Sequence, residues 1–261
     1  MLVAQQLGLD RGLMPIFRGL DFSLPPGAIL HVKGNNGSGK TSLLRGLAGF
    51  LPFRSGALRW RDSVYIPKLG AEFTQDASAL TAPRLAWIGC EENVKPDLTL
   101  REHLQFFAAL AEREAILTPY DALHRLGLGQ FADEQAGILS HGQKKRLILA
   151  RLLLTAADLW LLDEPFNGLD SQSLAEFSAI MVEFLQKGGM IILASHQTVP
   201  LPQQQILDMS RFSALNHATS DLPAQFNLET NLETNLEKKW AASVAAAHLK
   251  PPRDLTWKDF G

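Results

Sequence analysis

Gly34-Asn35-Asn36-Gly37-Ser38-Gly39-Lys40-Thr41, followed by Ser42, is the segment of this chain best suited to chemistry. Its spacing is G-x-x-x-x-G-K-[ST]. Glycines let successive backbone N–H groups turn toward a phosphate where a Cβ would obstruct the approach. A helix opening near Lys40 adds the positive end of its dipole. Lys40 then supplies a point charge to the β and γ oxygens of a nucleoside triphosphate, and the Thr41 hydroxyl is suited to ligating Mg²⁺. A glycine-rich turn followed by a chance Lys-Thr is the bland reading, and it leaves the strand before the loop and the helix after it unexplained.

Two adjacent carboxylates stand far downstream. Leu159-Trp160-Leu161-Leu162-Asp163-Glu164-Pro165 is an apolar strand that delivers Asp163 and Glu164 at its C-terminal end. Asp163 is suited to hold Mg²⁺, directly or through water, and Glu164 to polarise an attacking water as general base or positioner. An acidic pair on a surface is common. One that caps a buried strand downstream of a phosphate loop is not.

The elements that must position these groups can be read from periodicity. Ala28 to Val32 reads as a short strand entering the glycines, and Leu43, Leu44, Leu47 and Ala48 have the spacing of one helical face. The first 33 residues read as short strands with turns, Pro25-Pro26-Gly27 marking one of them. Leu58 to Ile66 reads as a strand pair and Leu85 to Gly89 as another strand. Between Lys95 and Leu152 the character is helical, with Thr99 and Glu102 spaced as a capping box. Leu159 to Leu162 and Met190 to Ala194 are continuous apolar runs, as buried parallel strands should be. The expected fold is α/β: a P-loop NTPase with a mostly parallel core sheet, an N-terminal antiparallel β subdomain and an inserted helical subdomain.

Composition narrows the classes. The chain has 261 residues, 46% hydrophobic and 20% charged, which is globular rather than disordered. Its net charge of −2 argues against a dedicated nucleic-acid binder. One cysteine makes no internal disulfide and fits a reducing compartment. The apolar run from Leu147 to Trp160 is broken by Arg151 and Asp158, so no stretch reads as a membrane span, and the N-terminus reads as no secretion signal.

Leu139-Ser140-His141-Gly142-Gln143, just ahead of the acidic strand, resembles the Leu-Ser-Gly-Gly-Gln signature of ABC transporter ATP-binding subunits. Asn167-Gly168-Leu169-Asp170 is similar to that family's D-loop, and Ile192 to Gln197 to its switch strand. The resemblance implies that Ser140, His141, Gly142 and Gln143 meet the γ-phosphate held by a second subunit, with His141 standing where the family has glycine. It implies that Asp170 crosses the dimer interface and that His196 senses the γ-phosphate. Glu91 takes the place of the Q-loop glutamine, where a carboxylate can still approach Mg²⁺. Arg11 falls at the position of the adenine-stacking aromatic, and two readings stand for it: a guanidinium stacked on the base, or a solvated loop charge.

Finer texture points to one branch. Trp87-Ile88-Gly89, Val94-Lys95-Pro96-Asp97-Leu98-Thr99 and Glu102-His103-Leu104-Gln105-Phe106-Phe107 resemble the heme-exporter ATPases of cytochrome c maturation, the CcmA family, although Cys90-Glu91 stands where that family has His-Gln. This implies an ATP hydrolase coupled to transport, with ATP and Mg²⁺ as cofactors. It implies a head-to-tail homodimer bound to CcmB/CcmC-like membrane permeases, peripheral on the cytoplasmic face of the bacterial inner membrane. No nucleic acid is expected, and heme is not expected to bind this chain, whose histidines other than His196 read as structural. The alternatives are a nucleotide-binding subunit of another small exporter and a weakly hydrolysing regulatory module. Repair and translation readings lack their own marks, such as zinc cysteines or a second ATPase unit, and a kinase would leave Ser140 to Gln143 and His196 without a job. The ATPase domain is expected over 1–215, its helical subdomain over about 95–152. The tail, 216–261, carries an Asn-Leu-Glu-Thr repeat (Asn227 to Lys239) and reads either as peripheral or partly disordered, or as a docking helix.

Overall fold

The computed structural model describes residues 1–61, 63–65, 83–90, 93–110, 116–197, 201 and 204–212. The repeat tail and Glu91 lie outside the described residues. The chain divides into two compact units, one drawn from Met1–Cys90, Ala157–Phe166 and the described residues from Phe177 on, the other from the described residues of 93–156 together with Asn167–Glu176.

The first unit holds two sheets. Strands β1 (Leu2–Arg11), β2 (Met14–Leu24), β4 (Ser55–Trp60) and β5 (Ser63–Tyr65) form an antiparallel sheet in the order β2-β1-β4-β5. β1 and β2 make a long hairpin rather than the short strands expected. Alternation breaks at Gln6, whose φ of 50° marks an irregularity in the pairing between Ala4 and Leu7, so each half looks like a separate strand in the sequence. The second sheet is parallel throughout, in the order β6-β7-β8-β3-β9, from β3 (Ile29–Lys33), β6 (Leu85–Ile88), β7 (Leu159–Asp163), β8 (Met190–Ala194) and β9 (Gln204–Asp208).

Helix α1 (Lys40–Leu47) is packed by both sheets. Its Leu43, Leu44 and Leu47 share one buried cluster with Leu2, Leu7 and Phe17 of the antiparallel sheet and with Val32, Leu161 and Ile192 of the parallel one. Each such leucine contributes about 2 kcal/mol by leaving water. All five residues of β7 and all five of β8 are buried, which is why those segments read as unbroken apolar runs. Trp160 of β7 is covered by Phe184, the two rings stacked 3.9 Å apart.

The second unit is helical. Helix α2 (Leu100–Leu110) begins with the expected capping box: the Thr99 N–H donates to Glu102 Oε2 at 2.9 Å and the Glu102 N–H to Thr99 Oγ1 at 3.1 Å. Helix α3 (Pro119–Arg125) is capped by Thr118 with proline in its first turn, and α4 (His141–Ala150) is capped by Ser140. The last long helix, α5 (Ser171–Gln186), starts in this unit directly after Asp170. Among the described residues no helix is long and apolar enough to cross a membrane.

Candidate functional site

Parallel pairing sets the geometry of the site. Ala194 of β8 is level with Val32 of β3 on one side and with Asp163 of β7 on the other. Three C-terminal strand ends are therefore in register, and each leads directly into residues the chemistry requires. After β3 comes the glycine loop, after β7 comes Glu164, and after β8 come Ser195 and His196. The C-terminal edge of a parallel sheet is where α/β proteins bind ligands.

The loop conformation explains its glycines. Gly34, Gly37 and Gly39 have φ of 146°, 79° and 95°, a region side chains rarely enter. A Cβ at Gly39 would meet Ile16 Cγ2 at 2.6 Å, and one at Gly34 would meet Ser38 Oγ at 2.6 Å. Lys40 is buried and folds back so that Nζ donates to the carbonyls of Gly34 at 2.8 Å and Asn35 at 3.1 Å. The ammonium is thus held over the loop's concave side by neutral acceptors that charged phosphate oxygens would outcompete.

Two buried side-chain oxygens on this edge have no hydrogen-bond partner among the described residues: Ser38 Oγ and Asp163 Oδ2. A buried polar atom without a partner costs about 1–3 kcal/mol, so finding two in one place points to a ligand. Asp163 is 2% exposed. Burial pushes its carboxyl above the ordinary value and the charge of Glu164 adds to the push, while a hydrogen bond from Thr41 and the charges of Arg45 and Lys40 pull the other way. Arg45 went unnoticed in the sequence, although its i+4 spacing from Thr41 on α1 was a usable signal. Glu164 sits at φ 47° and its N–H donates to the Ala194 carbonyl at 2.8 Å. That left-handed turn at the end of β7 is sterically costly and ends the strand with the carboxylate beside His196, whose Nε2 is 3.6 Å from Glu164 Oε1.

In the helical unit, Ser140 Oγ accepts from the Gln143 N–H at 3.3 Å while the Ser140 N–H donates to Gln143 Oε1 at 2.8 Å. The hydroxyl's own hydrogen stays available to an outside acceptor, at the positive end of α4. The α4 tip rests on the turn holding Gly168. A Cβ at Gly142 would come within 2.8 Å of the Gly168 carbonyl oxygen, and the His141 ring occupies the space a Cβ at Gly168 would need. His141 therefore fits the first turn of α4 with a side chain where the signature has glycine. Asp170 caps α5 by accepting the Ser173 N–H at 2.7 Å; that bond and Arg146 hold its carboxyl below the ordinary value.

The expected site residues thus fall in two groups. Gly34 to Ser42, Asp163, Glu164 and His196 share one unit, and Ser140 to Gln143 and Asp170 share the other. Arg11 is exposed at the end of β1. Glu91 lies outside the described residues; Asn93, two residues on, has its carbonyl bonded by Arg151 at 2.9 Å.

A parallel sheet with a phosphate loop at its edge, an acidic strand end beside it and a serine-capped signature helix define a nucleotide-binding cassette. The family model described as ABC transporter matches residues 17–167. The "Cytochrome c biogenesis ATP-binding export protein CcmA 2" of Cupriavidus metallidurans is 41% identical over 211 residues, covering 80% of this chain and 95% of the relative. The CcmA of Haemophilus influenzae is 38% identical, with 80% and 95% covered. Among solved structures, an ABC transporter ATP-binding protein from Pyrococcus furiosus, described as putative, shares the fold at a TM-score of 0.66, with 21% identity, covering 81% of this chain and 98% of that one. The chain belongs to the ABC transporter family, on the branch of its CcmA relatives.

Proposed function

We propose that this chain is the ATP-hydrolysing subunit of an ABC transporter complex, serving heme export in cytochrome c maturation. The observation that carries the nucleotide-binding part of this reading is the pair of buried oxygens, Ser38 Oγ and Asp163 Oδ2, which have no hydrogen-bond partner among the described residues at the C-terminal edge of the sheet. The family membership and the CcmA relatives supply the context.

ATP binds with its phosphates in the loop from Gly34 to Ser42. Backbone N–H groups surround the β-phosphate and Lys40 moves from the loop carbonyls to the phosphate oxygens. Arg11 lies by the base. Thr41 and Asp163 would hold Mg²⁺, and Glu91, at the Q-loop position in the sequence, is the third proposed ligand. Among the described residues no three metal-binding side chains cluster. Asp163 and the Thr41 hydroxyl suit Mg²⁺, which takes one or two carboxylates and completes its shell from phosphates and water. Bound there, Mg²⁺ would offset charge on the phosphate oxygens. Glu164 orients and deprotonates the attacking water, and His196 steadies the γ-phosphate from the opposite strand end.

Two copies close head to tail, so that Ser140, His141, Gly142 and Gln143 of one meet the triphosphate held by the other, with Asp170 at the shared boundary. The ATPase domain spans 1–215, with its helical subdomain over about 95–152. Reopening after hydrolysis moves CcmB/CcmC-like permease subunits, so the chain works peripherally on the cytoplasmic face of the inner membrane and does not itself bind heme or nucleic acid. Pull-down of the tagged full-length chain from detergent-solubilised membranes tests this. Multi-span membrane proteins should co-purify, and recovery of ribosomes or DNA in their place would reverse the assignment.

A further inference from the structure

Seven histidines occur in the chain, and one of them lies in the middle of the strand that leads into the phosphate loop. His31 is 1% exposed on β3, flanked in the sheet by Leu193 of β8 and Ile206 of β9. A polar ring in a buried strand needs a partner, and two oxygens face it. His31 Nε2 lies 3.0 Å from the carbonyl oxygen of Ser195, and Nδ1 lies 3.2 Å from Gln204 Oε1. A main-chain carbonyl can only accept, so Nε2 must carry a proton for the Ser195 bond; the Gln204 oxygen facing Nδ1 is likewise an acceptor and does not bond an unprotonated Nδ1. The Gln204 amide is itself oriented by donating from Nε2 to the Leu201 carbonyl at 3.0 Å, which turns its oxygen toward the ring.

Ser195 precedes His196, and its carbonyl oxygen lies in the plane of the peptide bond that carries the His196 N–H. Fixing that oxygen fixes the peptide's rotation, and with it the direction in which the next side chain leaves the backbone. The Ser195 hydroxyl accepts the Gln197 N–H at 3.0 Å, closing the same turn from the other side. We infer that His31 is a positioning residue: through Ser195 it aims His196 at Glu164 and ties the strand bearing the phosphate loop to the strand bearing the γ-phosphate sensor. This rests on the role proposed for His196. The His31 ring is bonded to neither the loop nor Lys40, whose Nζ is held by the Gly34 and Asn35 carbonyls.

The test compares His31→Leu and His31→Gln in the full-length chain within its native membrane complex. Leucine keeps the volume without a donor, whereas the glutamine amide can still reach the Ser195 carbonyl. His31→Leu should lower kcat about tenfold, the effect of one hydrogen bond lost from an oriented reacting group, with KM for ATP within about twofold. His31→Gln should recover kcat to within about threefold of the native chain. Equal loss in both variants, unchanged turnover in His31→Leu, or a rise in KM at constant kcat would overturn the inference. His196→Ala separates the two levels. If it abolishes turnover while His31→Leu does not, only the positioning role fails; if it leaves turnover unchanged, the sensor role fails first and takes this inference with it. Should His31→Leu not fold, long-range proton–nitrogen NMR of the native full-length chain still decides: protonated Nε2 at His31 supports the assignment, and an Nδ1–H tautomer refutes it.

Discussion

Exchanging Glu164 for glutamine changes charge without changing shape, and the site allows its effect to be worked through. The Glu164 side chain is 16% exposed and stands 3.6 Å from His196 Nε2, so an amide of equal size fits the same space. A general base contributes about 10²–10⁴ in rate, and a hundredfold loss corresponds to about 2.7 kcal/mol of barrier. Binding should move the other way. The charge of Glu164 is one of the two influences raising the Asp163 carboxyl, the larger being burial; with it neutralised, Thr41, Arg45 and Lys40 act against burial alone. Asp163 then ionises more readily, which offsets the attraction for a cation lost with the Glu164 charge. Phosphate release should therefore fall at least a hundredfold while KM for ATP stays level or drops. Size-exclusion chromatography with ATP and Mg²⁺ should show a trapped dimer, and adding Ser140→Ala in that background should dissolve it. Turnover within threefold of the native chain, or KM rising in step with lost kcat, would refute the reasoning.

Gly39→Ala should weaken nucleotide binding more than tenfold and lower thermal stability. Its φ of 95° costs an L-residue about 1–2 kcal/mol, and the new Cβ would press on Ile16 Cγ2 at 2.6 Å; fluorescent-nucleotide titration with a melting curve checks both. Asp158 accepts from the Arg84 side chain at 2.7 and 2.9 Å and from its N–H at 3.0 Å; burial opposes these bonds, but together they hold its carboxyl below the ordinary value. A depressed carboxylate stabilises the fold above its unfolded pKa of about 3.9, and that contribution is lost as pH falls through the folded value. The Arg84 side chain is 40% exposed, so screening holds the gain to about 1 kcal/mol. Urea melts should show Arg84→Ala less stable than the native chain at pH 7, with the gap closing below about pH 4; a constant gap would contradict the linkage.

Much of this architecture could be read from local pattern because its determinants are local. The apolar runs of β7 and β8, the Thr99–Glu102 box and the glycine spacing before Lys40 each act within a few residues. What escaped depends on residues far apart in sequence. Nothing near His31 announces that its ring will meet Ser195, 164 residues later. Likewise the packing of Gly142 against Gly168, which explains a glycine in each place, joins two loops that no periodicity connects. The length of β1 was hidden by Gln6, whose irregular backbone breaks the alternation that a strand is recognised by.

The strand order β6-β7-β8-β3-β9 bears on how this machine is born. β3 emerges from the ribosome early, yet both of its neighbours, Met190–Ala194 and Gln204–Asp208, are the last two strands among the described residues. At about 5–20 residues per second, the glycine loop waits roughly ten to thirty seconds without a seat. The sheet around the glycine loop is therefore completed late in synthesis, once β8 and β9 have emerged to flank β3.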